Sequence, residues 1–522
     1  MRSRPGPCRG VALWTGLLAF AIGACDSDSA KTTAGEPLAG LEQARAHELK
    51  RLRDRYARAV AESKQRRCPR PVLRGEPLAG SAAADMRAVL EGDEDTSPCL
   101  RLLDDLAKKQ PAWAGAILHD GLPKTQPALV RCAAYARRPA AAAGTETVER
   151  LVATCAPLVE RLRRAVAHGD ACTPYRSGLQ CADDLLVRLR VARVVALTAH
   201  RLLAAGERRA AAELLLDGLR FGQDLTRGGA CMLDAAMGVA MAEALVPVLE
   251  LVLVMDDGAE PELWLQLQRE LERLAASEPP PAALLRGEYE TVLLEVFKPQ
   301  LIEGTAGLRG GVCIHDRRAL ADAGLPAAAA PPAADAEPLS DPLLVWMAYD
   351  RAYRVAREAC DPKQPPRACV EGLKRTVARA GTLRRRDPAA YLKKRIGYLL
   401  PPGRAAAWAE RADALAAQLE PERAWREQLL RYSRRHFYYA ALRAAASWLH
   451  TAAGMQRCPR LSDLQLPVVQ VQLENAYSGK QVAAMRLAPG HFAITPRSRP
   501  GRSNDQDQRP AVVLRCSRPA GD

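Results

Sequence analysis

The sequence predicts a mainly α-helical protein, built as multi-helix lobes with a small α+β module at the C-terminal end. Two patterns carry that expectation. Through most of the chain, apolar residues recur three and four positions apart, the spacing of one helix face, and Pro or Gly marks the breaks. After Gly454 the pattern changes to short Val/Ile-rich runs separated by Gly, Pro and Asn, the mark of a small antiparallel sheet. The lobes are compatible with solenoid stacking, although no clean repeat period is present.

Residues 1–24 read as a signal peptide. Arg2, Arg4 and Arg9 form a basic start, and Val11–Ile22 form an apolar stretch too short for a stop-transfer helix. The stretch ends Ile22-Gly23-Ala24-Cys25, which resembles the lipobox of bacterial lipoproteins. That resemblance implies lipid attachment at Cys25 and a periplasm-facing body anchored to the cell envelope. Asp26 resembles an inner-membrane retention signal, so the resemblance favours the inner over the outer membrane. Residues 25–40 are polar and small, and read as a lipidated tether.

Residues 41–323 read as an N-terminal helical lobe. Leu41, Ala44, Leu49, Leu52, Tyr56 and Val60 fall on one stripe of a first helix that Cys68-Pro69 ends. Shorter helices follow to about Arg138, and a helix is expected from Thr145 to about His168. Leu185, Leu189, Ala192, Ala196, Ala199 and Leu203 predict the next, and Glu207–Thr226 another, closed by Gly228-Gly229. Cys231–Met255 is almost wholly apolar, but Asp234, Glu243, Glu250 and Pro247 argue for a buried central helix rather than a membrane span. Gly222, Gly228 and Gly238 would permit close helix approach.

Residues 324–342 form a Pro/Ala-rich linker, and 343–455 a second helical lobe with helices over 343–360, 370–385, 405–419 and 422–453. The last carries Trp425, Tyr432, Phe437, Tyr438, Tyr439 and Trp448, expected in the core. Residues 456–522 form the small β-containing module, with strands over 468–473, 483–487, 491–494 and 511–514.

Two further resemblances concern the body. Asp224-Leu225-Thr226-Arg227-Gly228 followed by Met232-Leu233-Asp234 is similar to a pattern in uncharacterised helical proteins of GC-rich Gram-negative bacteria, which implies a fold and no activity. Asn475-Ala476-Tyr477-Ser478-Gly479-Lys480 before two strands resembles the C-terminal module of pseudopilin-like envelope proteins, with Ala476 where those have Pro.

The net charge of +15 falls to +12 once Arg2, Arg4 and Arg9 are removed. The arginines are dispersed among acids, with no RNA-binding aromatic signature and no zinc finger, so nucleic acid is not an expected partner. Without Cys8 and Cys25, twelve of the 14 cysteines remain, in a compartment that permits disulfides. Cys172/Cys181 and Cys360/Cys369 bracket short Pro-containing loops, and Cys458/Cys516 bracket the tail. Closing either short loop would contribute about 2–3 kcal/mol. Cys68/Cys99 and Cys132/Cys155 complete one arrangement among several.

No phosphate-binding loop, dinucleotide fingerprint, nucleophile elbow or metal-ligand spacing occurs, so no cofactor and no metal are expected. The chemical lead is the set of acids in apolar surroundings: Asp224, Asp234, Glu243 and Glu288, with Glu250 and Glu290. A buried carboxylate pair with a raised pKa could do general acid/base work. The competing reading is structural pairing to Arg201, Arg220 or Arg286, because a buried charge is costly unless paired. The expectation is therefore a non-enzymatic lipid-anchored scaffold or binding protein with an envelope protein partner. The alternatives are an envelope hydrolase using the acids, or a basic module binding peptidoglycan or anionic lipid headgroups.

Overall fold

The computed structural model describes residues 38–109, 145–172, 178–227, 232–255, 260–295, 297, 342–397, 409–452, 482–488, 491–496 and 512–516. The fold is mainly α. In chain order the elements are α1 (Leu38–Gln65), β1 (Leu78–Ser81), α2 (Ala83–Glu91), α3 (Ser97–Lys109), α4 (Thr145–Thr154), α5 (Ala156–Ala167) and β2 (His168–Asp170). Then follow α6 (Gly178–Ala204), α7 (Arg208–Asp224), α8 (Met232–Leu249), β3 (Val254–Met255), α9 (Pro261–Ala276) and α10 (Pro281–Glu295). The later part contains α11 (Pro342–Ala359), α12 (Pro366–Arg386), α13 (Pro388–Ile396), α14 (Ala412–Leu419), α15 (Pro421–Ala452), β4 (Val482–Ala488), β5 (His491–Pro496) and β6 (Val512–Cys516).

The chain forms two compact units, and they are not the sequential lobes expected on either side of 324–342. Unit 1 is made of residues 1–65, 285–364 and 368–427; unit 2 is made of 66–284, 365–367 and 428–522. In unit 1 the first helix packs with α11, far along the chain. Sequence periodicity finds an amphipathic helix, but it does not say which distant apolar face covers it.

Unit 2 has one continuous apolar core, drawn from α2 to α9, the second half of α15, and Ile494 and Val512 of the tail strands. Helices α6, α7 and α8 pack on one another at its centre. Small residues set their separation. A Cβ on Gly218 would sit 2.7 Å from Leu245 Cδ1 and 2.9 Å from Val195 Cγ1. A Cβ on Gly238 would collide with the Gly222 carbonyl oxygen, so α7 and α8 meet almost backbone to backbone. Gly228 lies outside the described residues. Among the described residues no helix is long and apolar enough to cross a membrane.

Three local expectations are corrected. The helix expected over 145–168 breaks at Cys155, where Pro157 starts α5 in its first turn and Cys155 bonds to Cys99. A helix absent from the sequence reading, α13, starts at Asp387-Pro388, where the Asp387 carboxylate accepts from the Ala390 amide at 2.8 Å. The tail is not a separate module: β4, β5 and β6 are antiparallel as expected, but β3 from the central region adds parallel to β6. The strand expected over 468–473 lies outside the described residues. β1 and β2 form a second, parallel pair that alternation did not reveal, because each is only three or four residues long.

Candidate functional site

The polar centre of unit 2 is assembled at the C-terminal end of α7. Asp224 closes that helix, where the backbone carbonyls already concentrate negative charge, so the carboxylate needs cations. Arg70 supplies a fork, Nε to Oδ1 at 2.9 Å and Nη2 to Oδ2 at 2.7 Å, and both side chains are almost completely buried. Arg227 adds a third contact, Nε to Oδ1 at 3.0 Å. Arg70 is held in place by its surroundings in the chain. Its amide donates to the Gly169 carbonyl at 2.9 Å, and two residues earlier Cys68 is bonded to Cys172.

Beside it lies a second buried pair. Arg435 of α15 binds Glu278, Nε at 2.8 Å and Nη2 at 2.7 Å. Arg435 also donates to the Gly222 carbonyl at 3.0 Å, Thr226 Oγ1 at 3.2 Å and the Tyr432 hydroxyl at 2.7 Å. Burial raises the Glu278 pKa, but Arg435, a Tyr432 hydrogen bond and His436 outweigh it and hold the carboxyl below its usual range. Arg220 joins the same network through Gln223 Oε1 at 2.7 Å and Ser277 Oγ at 2.6 Å. Burial, resisted by Asp224 and reinforced by Arg70 and Arg227, brings the Arg220 pKa down to about 10, still cationic at neutral pH.

A third cluster joins α7 and α9. Arg74 binds both Asp217 and Glu270. Glu270 also accepts from Gln266 Nε2 at 2.8 Å. Burial raises the Asp217 pKa to about 6, against the opposing pull of Arg74 and Arg163 and with a contribution from Glu270. Burial raises Glu270 as well, again opposed by Arg74. Asp217 and Glu270 are thus two buried carboxylates that share one arginine, and neither is among the acids singled out from the sequence. The available signal was Asp217 alone among apolar neighbours in Leu214-Leu215-Leu216-Asp217-Gly218-Leu219.

The nominated acids are distributed otherwise. Asp224 and Asp234 are buried, Asp234 in the first turn of α8, where a helix N-terminus favours an acid. Glu243 is not buried: it is 40% exposed and pairs with Arg434 at 3.3 Å. Glu288 and Glu290 are buried in unit 1, and Glu290 accepts from Arg286 at 2.7 Å. Glu250 is buried just beyond α8. Of the expected cations, Arg286 does pair with a nominated acid, Arg220 is in the Asp224 network, and Arg201 instead pairs with Glu149. Among the described residues no three His, Cys, Asp or Glu side chains are grouped as metal ligands.

The cysteine pairing differs from the local one expected. Cys172 bonds to Cys68, not Cys181, and Cys155 bonds to Cys99, replacing the Cys68/Cys99 and Cys132/Cys155 arrangement. Cys360 and Cys369 bond to each other. The Cys68–Cys172 bond forms because β2 and the residues after it return to the segment after α1, with Pro69 bridging Asp170, and the Cys99–Cys155 bond ties the first turn of α3 to the break between α4 and α5. Sequence proximity carries no information about that return. Cys181 lies in α6 and Cys516 ends β6, while Cys25, Cys132 and Cys458 lie outside the described residues. Comparison of the chain with protein-family models, curated proteins and solved structures finds no match.

Proposed function

We propose that the chain is a lipid-anchored, periplasm-facing helical scaffold or binding protein with an envelope protein partner, attached to the membrane through Cys25. The observation that carries this reading is the pair of long-range disulfides, Cys68–Cys172 and Cys99–Cys155, which fits an oxidising compartment. The signal-peptide and lipobox pattern of residues 1–25 agrees with it. The buried acids favour a scaffold over an enzyme, since Asp224 and Glu278 are enclosed by arginines that leave their charge neutralised within the fold.

Labelled fatty acid tests the anchor: incorporation into the native chain and its absence from Cys25→Ala is expected. Brief cross-linking on intact membranes, then affinity purification of both forms, tests the scaffold. A stoichiometric partner found only with the lipidated form supports it. Recovery of nothing with either form overturns it. One observation favours the hydrolase reading, the Asp217–Glu270 pair on Arg74. Screening the Cys25→Ala chain against envelope polymers tests it, with hydrolysis lost in a folded Asp217→Asn variant as the required result.

A further inference from the structure

Helix α12 presents a continuous cationic stripe. Lys374, Arg375, Arg379, Arg385 and Arg386 are all exposed, while Cys369, Val370, Gly372, Leu373, Ala380 and Gly381 are buried on the other side. At 3.6 residues per turn the five cations share about 140° of the circumference and about 18 Å of length. Glu371 is the single acid on that arc, and it meets Lys374 at 3.6 Å. Two more exposed cations, Lys393 and Lys394, follow on α13.

The stripe stands out against the rest of unit 1. Other arginines of unit 1 are given acids: the largely buried Arg384 binds Asp413 and Glu420, the buried Arg395 binds Glu422, and the exposed Arg354 binds Asp350. Arg375, Arg379, Arg385 and Arg386 form no ion pair among the described residues. Arg375 and Arg379 stand four apart, a like-charge arrangement that disfavours a helix. The negative C-terminal end of α12 accounts locally for Arg385 and Arg386, but it does not reach Lys374, Arg375 and Arg379. Neighbouring charges lie within a Debye length, so their potentials add toward solvent.

We propose that the Lys374–Arg386 stripe of α12 docks unit 1 against the anionic phospholipid headgroups of the membrane that holds Cys25. The proposal rests on the lipid-anchored reading for its choice of surface. Chain length supports that choice: Cys25 is joined to α1, itself part of unit 1, through only Asp26–Pro37. Even fully extended, that connection spans at most about 45 Å. A lipid on Cys25 therefore keeps the stripe's own unit close to the bilayer, where each basic group near an anionic surface strengthens binding about fivefold.

The test uses the whole Cys25→Ala chain and sedimentation with vesicles of pure phosphatidylcholine or of phosphatidylcholine with 30 mol% phosphatidylglycerol (about 100 nm, low and high salt). Expected is at least tenfold stronger binding to the anionic vesicles, lost at high salt. The triple variant R375E/R379E/R386E should lower it at least tenfold. The matched control R87E/R150E/R269E, exposed arginines of unit 2, should change it less than threefold. Circular dichroism checks folding, and R375Q/R379Q/R386Q serves if the reversal variant is unstable. Equal loss in the triple and control variants overturns the proposal, because net charge alone would explain it. Stripe-dependent binding to purified peptidoglycan sacculi without vesicle binding also overturns it. A failed anchor is separately visible as absent fatty-acid label on the native chain, whatever the vesicles show.

Discussion

Arg435→Met should be among the most damaging single changes in unit 2. The substitution keeps most of the aliphatic volume and removes the guanidinium. It leaves the Glu278 carboxylate without its ion-pair partner and removes the donors to the Gly222 carbonyl, Thr226 and Tyr432. Breaking one side of a buried ion pair typically costs about 3–5 kcal/mol, a large share of the ~5–15 kcal/mol that stabilises a domain. The pH dependence gives a sharper test. In the native protein Glu278 titrates below its usual value, so its pairing adds stability above the unfolded-state pKa and loses it as pH falls through the folded one. Without Arg435, burial dominates and the folded-state pKa moves above the unfolded one. The variant then regains stability as pH falls, and its deficit should be largest at pH 7–8 and shrink toward pH 5. Urea unfolding followed by circular dichroism, with disulfides intact, measures this. Glu278→Gln and the double variant complete the cycle, and the double variant should cost less than the sum of the singles. A deficit under about 1 kcal/mol, equal at pH 5 and 8, would refute the buried-pair argument.

Gly238→Ala should destabilise by about 1–3 kcal/mol in the same urea assay, because its Cβ meets the Gly222 carbonyl, which cannot move aside without shifting α7. Glu243→Gln should change stability by less than about 1 kcal/mol, since both partners of its pair with Arg434 are only half-buried and reach solvent. A larger loss would show an unrecognised role for Glu243. Asp217, at about 6 in the folded state against a usual 3.8, binds its proton more tightly when folded, so its contribution to stability falls as pH rises from about 4 to 6. Asp217→Asn should flatten the urea midpoint over that window, and an unchanged slope would contradict the assignment.

The sequence alone determined the helical class and the position of most helices, because a 3.6-residue apolar period is a local property read from consecutive residues. It also placed Gly222 and Gly238 at a close helix crossing and Trp425, Tyr432, Phe437, Tyr439 and Trp448 in the core. It marked the apolar centre as the place where charges need partners. Only the tertiary structure decided which partners those are: Arg70 reaches Asp224 across 154 positions, and Arg435 reaches Glu278 across 157. It also decided that Cys68 meets Cys172, that β3 joins the tail sheet, and that α1 belongs with α11. These contacts depend on how the chain returns on itself. The return is fixed by the burial of many apolar faces together, and no short window of sequence contains it.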